Sequence, residues 1–186
     1  MSIARQNFSE GAESYINQQV NLQLTAAQTF RQIAAYFSQS DVALPGLAKN
    51  FSKRASKETE RAQYWIHYQN ERGGTVVLNT IPAPSPDWSS AREALGNCNQ
   101  ELEISEFDFP IDAALQIERD VNKNFLAVSS LADDNDDPQL ANTIRSVALA
   151  QQVDTIEHLA RDITQHDRAG NGLGLYLFDK NLEDEV

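Results

Sequence analysis

Glu58 and Arg61 are the residues of this sequence best placed for chemistry that packing alone would not require. They lie in the run Ser56-Lys57-Glu58-Thr59-Glu60-Arg61-Ala62, inside a long stretch of helical periodicity. Leu47, Phe51, Ala55, Ala62 and Trp65 recur there at spacings of three and four. Glu58 falls on the same stripe, with Arg61 one turn along beside it. A charged pair where packing calls for aliphatic carbon marks a functional site or the remains of one. Three other apolar stripes are interrupted near their middles, by Gln23, Glu118 and Gln152. Carboxylates converging from facing helices, with a Glu-x-x-His turn, are how helical bundles hold two irons. Iron takes carboxylate oxygens and a histidine nitrogen. Here the turn reads Glu58-Thr59-Glu60-Arg61, so a cation stands where a ligand nitrogen belongs. Two readings are open: a metal site, or an interior cluster in which Arg61, assisted by Lys57, neutralises Glu58 and Glu118.

The elements that must position these residues are long helices. The first spans about 10–37, capped by Ser9, with Ile16, Val20, Ala27, Phe30, Ala34 and Phe37 on its stripe. The second opens at Pro45 and runs to about 72, where Gly73-Gly74 ends it. A third, about 110–132, carries Ile111, Leu115, Val121, Phe125 and Val128, with Asp108 as its expected cap. The fourth, about 138–169, follows the acidic turn Asp133-Asp134-Asn135-Asp136-Asp137, whose side chains are expected to cap it. That turn lacks the spaced glycine and terminal glutamate of a calcium loop. A short fifth helix is expected over about 172–182, with a frayed acidic tail. Residues 73–108 form the one long connection, extended at 75–78 and proline-rich at 81–87, with a short helix expected over 88–95. A connection of that length lets the second and third helices run parallel. The fold class is therefore all-α, an antiparallel four-helix bundle with a long crossover and a short C-terminal helix, in one domain over 1–186.

Composition narrows the function. The formal net charge of −12 argues against nucleic acid and anionic membrane surfaces as partners. The single cysteine, Cys98, excludes an intramolecular disulfide and reads as a free or interfacial thiol. The N-terminus carries no apolar run, and no stretch is long and apolar enough to span a bilayer, so the expected compartment is the cytoplasm. His67, His158 and His166 share no ligand spacing; the last two read as surface residues. Trp65 and Trp88 read as packing residues. No phosphate-binding loop, dinucleotide fingerprint or nucleophile elbow occurs.

The sequence resembles the ferritins. The matching runs include Arg5-Gln6-Asn7-Phe8, Ile16-Asn17-Gln18-Gln19-Val20-Asn21-Leu22, Gln69-Asn70-Glu71-Arg72-Gly73-Gly74, Glu118-Arg119-Asp120-Val121-Asn122 and Tyr176-Leu177-Phe178-Asp179-Lys180. The resemblance implies a ferritin-like bundle and a hollow twenty-four-subunit shell that stores iron as a mineral, with no cofactor needed for folding. Carried over residue by residue, the iron-oxidising (heavy-chain) pattern places its first-helix glutamate at Gln23 and its nearby tyrosine at Phe30. Its ligand glutamates fall on Glu58 and Glu118, its histidine on Arg61 and its fourth-helix glutamine on Gln152. Two ligands and the glutamine remain, which implies that ferroxidase activity is lost, as in light chains. Weak metal contacts at Glu58, Glu118 and Glu60 are what the pattern leaves. The light-chain mineral-seeding positions fall near Lys53, Ser56, Lys57, Glu60 and Gln63, of which only Glu60 is acidic. The acidic pair of the three-fold channel reads Asn142 and Arg145. Leu173 and Leu177 match the apolar lining of the four-fold axis, and segment 89–106 holds an insertion.

The function expected is that of a shell subunit without ferroxidase activity, contributing to iron storage alone or beside an active subunit. The alternative is a cage turned to a non-iron task, as an artemin-like chaperone or a structural, storage or egg protein. A residual ferroxidase using Glu58, Glu118 and inner-face carboxylates is a third reading.

Overall fold

The computed structural model describes residues 3–84, 108–170 and 172–185. Helix α1 spans Glu10–Phe37 and α2 spans Pro45–Glu71. Helix α3 spans Asp108–Asp134. Helix α4 is composite: an α-turn at Pro138–Thr143, a π-helical stretch at Ile144–Leu149 and an α-helical remainder at Ala150–Ala169. Helix α5 spans Leu173–Glu185. The first four form the bundle, with α1 packed on α2 and α3, and α3 on α4. Helix α5 leans against α2 and α4. The segment 89–106, where the resemblance implies an insertion, Cys98, Trp88 and the short helix expected over 88–95 lie outside the described residues.

Local chemistry explains three of the helix ends. The Ser9 hydroxyl accepts from the Ala12 N–H at 3.0 Å, and Glu10 and Glu13 place negative charge at the positive end of α1. The Asp137 carboxylate accepts from the Leu140 N–H at 3.0 Å, so the acidic turn caps α4 as its sequence implies. Asp137 also pairs with Arg72 at 2.7 Å. Gly73, at φ 72°, ends the second helix where a Cβ would lie 2.6 Å from the Arg5 nitrogen.

Three details depart from the sequence reading. Helix α3 already includes Asp108, so that residue is its first member and not a cap outside it. Helix α5 continues through Glu185, supported by the Lys180–Glu183 pair at 2.5 Å, where a frayed tail was expected. His166 is not a surface residue: it is 4% exposed and meets Phe178 edge-on at 5.7 Å. The fifth helix covers it, and a periodicity argument confined to α4 has no view of that partner.

Helix α5 also completes α2. Leu44, at the N-cap of α2, offers no capping side chain, and the Leu47 N–H is taken instead by the buried Asp179 carboxylate at 2.8 Å. A Cβ on Gly46 would sit 1.9 Å from the Asp179 carbonyl oxygen, so only glycine permits this approach. Asp179→Ala is expected to cost about 0.5–2 kcal/mol, the usual range for a lost cap. Asp179→Asn, which keeps an acceptor, should recover most of it; denaturant unfolding of both variants checks this.

The apolar interior divides in two. One cluster gathers Phe30, Phe37, Leu47, Phe51, Leu159 and Phe178; the other gathers Ile16, Trp65, Phe125, Val128, Leu140 and Ile144. Fully burying one such phenylalanine contributes roughly 1.5–3 kcal/mol. These clusters hold the bundle, and between them lies a polar level that must satisfy itself.

Candidate functional site

That level is built from one or two residues per helix: Gln23 from α1, Glu58 and Arg61 from α2, Glu118 from α3, and Gln152 and Thr155 from α4. Gln23, Glu58, Glu118 and Gln152 are each no more than 1% exposed. Helical spacing puts each on the same stripe as its apolar neighbours, which is why they are carried inward. The Arg61 guanidinium donates through Nη1 to Glu58 Oε1 and through Nη2 to Thr155 Oγ1, the latter at 2.8 Å. Gln152 Nε2 donates to Glu118 Oε2 at 2.6 Å and to the Glu118 carbonyl oxygen at 2.9 Å. The two carboxylates thus have different partners, one ionic and one neutral.

Electrostatics follow from that arrangement. Burial pushes the Glu58 carboxyl up to about 7, the Glu118 charge adds to the rise, and Arg61 opposes it. Burial likewise raises Glu118, against the Gln152 hydrogen bond and the charges of Arg61 and Arg54. Both carboxyls are thus held above their ordinary range, Glu58 in part by the charge of Glu118.

The second cation near the pair is Arg54. The sequence reading gave that part to Lys57, but Lys57 is exposed, whereas half-buried Arg54 acts on both carboxyls. Arg54 is anchored by Asp162 at 2.7 Å and Asn50 at 2.7 Å. Its position was legible: Arg54, Glu58 and Arg61 stand at spacings of four and three on one helix face. Thr155 carried no comparable signal, since a threonine on a helix is unremarkable until its partner across the bundle is seen.

Phe30 is fully buried and sits edge-on to Phe51 at 6.1 Å, within the first apolar cluster. It brings no hydroxyl to the polar level. Glu60 is exposed and lies at the mouth of a cavity of about 400 Å³ whose lining includes Gln23, Arg61, Trp65 and Gln152. A second cavity, of about 420 Å³, lies between α2 and α4 and reaches Glu58 and Glu118 past Arg54 and Arg61. Lys53, Ser56, Lys57, Glu60 and Gln63 are all exposed on α2. Among the described residues, no three or more His, Cys, Asp or Glu side chains gather as a metal-binding group. On α4, Asn142 and Arg145 are exposed, and Arg145 pairs with Asp133. Leu173 and Leu177 of α5 are exposed as well. Among the described residues no helix is long and apolar enough to cross a membrane.

Comparison with known proteins gives consistent matches. The ferritin-like domain model matches residues 13–104. The soma ferritin of Lymnaea stagnalis is 38% identical, over 97% of this chain and 95% of its own length. The ferritin heavy chain of Echinococcus granulosus is 37% identical, over 97% of this chain and 95% of its own. The chloroplastic ferritin of Malus baccata var. xiaojinensis is 36% identical, over 99% of this chain and 69% of its own.

Proposed function

The chain belongs to the ferritin family, and from that premise we propose that it is a shell subunit that serves iron storage without oxidising iron itself. The observation that carries this reading is the Arg61–Glu58 ion pair. Iron here is the substrate to be bound and oxidised, and the residues present do not fit that work. Among the described residues only Glu58 and Glu118 offer carboxylates at the polar level. Gln23 and Phe30 add no anionic oxygen, and a fixed positive charge already occupies one carboxylate. A divalent cation would have to enter beside a guanidinium, which opposes it. We therefore derive no oxidation step through this site, and we assign Gln23, Phe30, Glu58, Arg61, Glu118 and Gln152 as the positions of a degenerate ferroxidase centre. Glu58, Glu118 and Glu60 are left as weak iron contacts.

The wider assignments rest on the same premise. The chain is one ferritin-like domain, assembling as a twenty-four-subunit shell by itself or with an active subunit, in the cytoplasm, without nucleic acid or membrane. Exposed Lys53 and Lys57 leave Glu60 as the one acid among the seeding positions, so mineral growth would depend on an active partner. A second reading, a cage turned to a non-iron task, draws support from Asn142 and Arg145 at the channel positions, where the Arg145–Asp133 pair replaces free acidic side chains.

The test is anaerobic calorimetric titration of the assembled protein with ferrous ion. No saturable, tight uptake of a pair of ferrous ions per chain is expected. Tight stoichiometric uptake abolished by Glu58→Gln would overturn the assignment. Recovery of the chain from its source together with an active subunit would select the storage role over the non-iron one.

A further inference from the structure

The cavity of about 420 Å³ between α2 and α4 is walled by charged side chains that solvent reaches. Its α2 wall carries Lys53, Arg54, Lys57 and Arg61. Lys53, Lys57 and Arg61 follow one another at spacings of four, so they form a ladder of like charge along one face. Such a ladder costs stability by itself, because cations one turn apart repel. Lys53 and Lys57 are exposed, and the Arg54 and Arg61 side chains keep 15% and 20% of their surface open to solvent. The α4 wall brings exposed Asp154 and half-buried Asp162 as its acids. Among the lining groups that solvent reaches, four fixed cations thus stand against two carboxylates. Glu58 and Glu118 lie beneath them at 1% exposure, and burial holds both above the ordinary carboxylate range, which weakens their negative contribution. In a chain of net charge −12, this cavity carries a local positive excess.

The two guanidiniums are already fixed. Arg54 is held by Asn50 and Asp162, both at 2.7 Å. Arg61 is held by Glu58 and by Thr155, the latter at 2.8 Å. Each spends two donors in those bonds, so its planar fork retains N–H groups for a further acceptor. The two ammoniums are not spent in this way: among the described residues, Lys53 and Lys57 make no ion pair or hydrogen bond. Fixed forks with unspent ammoniums beside them suit a tetrahedral dianion, which takes directed N–H bonds from arginine and charge from lysine.

We propose that this cavity binds a phosphate dianion, free or as the head group of a small phosphomonoester, with Lys53 and Lys57 supplying charge and Arg54 and Arg61 supplying directed donors. The volume lies within the range of small-molecule pockets, so a short ester tail has room beside the head group. The proposal rests on the reading of the polar level as free of iron, since a bound iron would displace Arg61 from Glu58 and attract phosphate itself.

The test is calorimetric titration of the assembled protein, freed of iron by a chelator, at a fixed ionic strength of about 0.1 M. Inorganic phosphate and glycerol 3-phosphate are the two probes. Saturable binding of one anion per chain is expected, and the tighter probe tells whether the free ion or the ester is the better occupant. Lys53→Gln with Lys57→Gln, both exposed and remote from the packed core, should weaken binding about tenfold or more. Arg119→Gln with Lys123→Gln removes the same charge from exposed positions on α3 outside the cavity, and should change affinity less than about twofold. Asp154→Asn should strengthen binding about two- to threefold, because it removes a like charge from the wall. Absence of saturable binding of either probe, equal weakening by the two double variants, or weaker binding in Asp154→Asn would overturn the proposal. Ferrous titration of the same preparations keeps the two readings apart. Tight ferrous uptake would remove the reading of the polar level, whereas no ferrous uptake and no phosphate binding would remove the phosphate site alone.

Discussion

Arg61→Ala is expected to destabilise the fold by about 3–5 kcal/mol, the cost of removing one partner from a buried ion pair. Among the described residues Arg61 is the one cation bonded to Glu58, which is 1% exposed, and its other arm reaches across the bundle to Thr155. Without it, Arg54 is left as the cation whose charge acts on both Glu58 and Glu118. The loss should depend on pH in a stated direction. Glu58 is raised from the ordinary 4.5 to about 7, so between those values the folded chain holds a proton that the unfolded chain has released. The stability linked to that proton is full below the lower value and is lost as pH rises through the upper one. Arg61 restrains the rise, so its removal should shift the loss to higher pH and deepen it above neutrality. The variant should therefore be harmed more at about pH 8 than at about pH 5, where protonation relieves the unpaired carboxyls. Glu58→Gln should flatten the pH dependence, and Glu58→Gln with Arg61→Met should cost less than Arg61→Ala alone. Denaturant unfolding at fixed protein concentration reads all of these. An unchanged midpoint for Arg61→Ala would contradict the pairing.

A second large effect is a gain. Gln23→Glu, Phe30→Tyr and Arg61→His together restore the residues that the iron-oxidising pattern places at these positions. The triple variant should oxidise ferrous ion about 10- to 100-fold faster than the parent, the span over which groups around a metal alter activity. Arg61→His alone should yield little, because two carboxylates and one imidazole still leave the α1 side of the site without an anionic ligand. Initial rates of ferric absorbance under matched iron loading check the prediction. A triple variant that folds and remains as slow as the parent would show that the missing chemistry lies elsewhere.

Much of this was legible in the sequence. The stripe through Leu47, Phe51, Ala55, Glu58, Ala62 and Trp65 fixed which face of α2 turns inward, and every one of those residues is buried. Ser9 and Asp137 could be read as caps because a cap is a local event, settled within four residues. What escaped is non-local. The capping of α2 by Asp179 joins residues 132 positions apart, and no periodicity within either helix encodes it. His166 was misplaced for the same reason, since its cover, Phe178, belongs to another helix. The π-helical stretch at Ile144–Leu149 left no mark because its residues, Ile-Arg-Ser-Val-Ala-Leu, are ordinary helix residues. At the polar level, the members could be listed from their stripes, but the partner choices could not. That Arg61 would take Glu58 and Thr155, and Gln152 would take Glu118, depends on distances across the bundle.

The most direct measurement of the central claim is the initial rate at which the assembled protein oxidises ferrous ion in air at low iron loading, followed by ferric absorbance. With Arg61 seated on Glu58, the rate should match that of a protein-free control. Rapid, saturable oxidation that disappears in Glu58→Gln would contradict the account and show that iron is oxidised at this level despite the guanidinium.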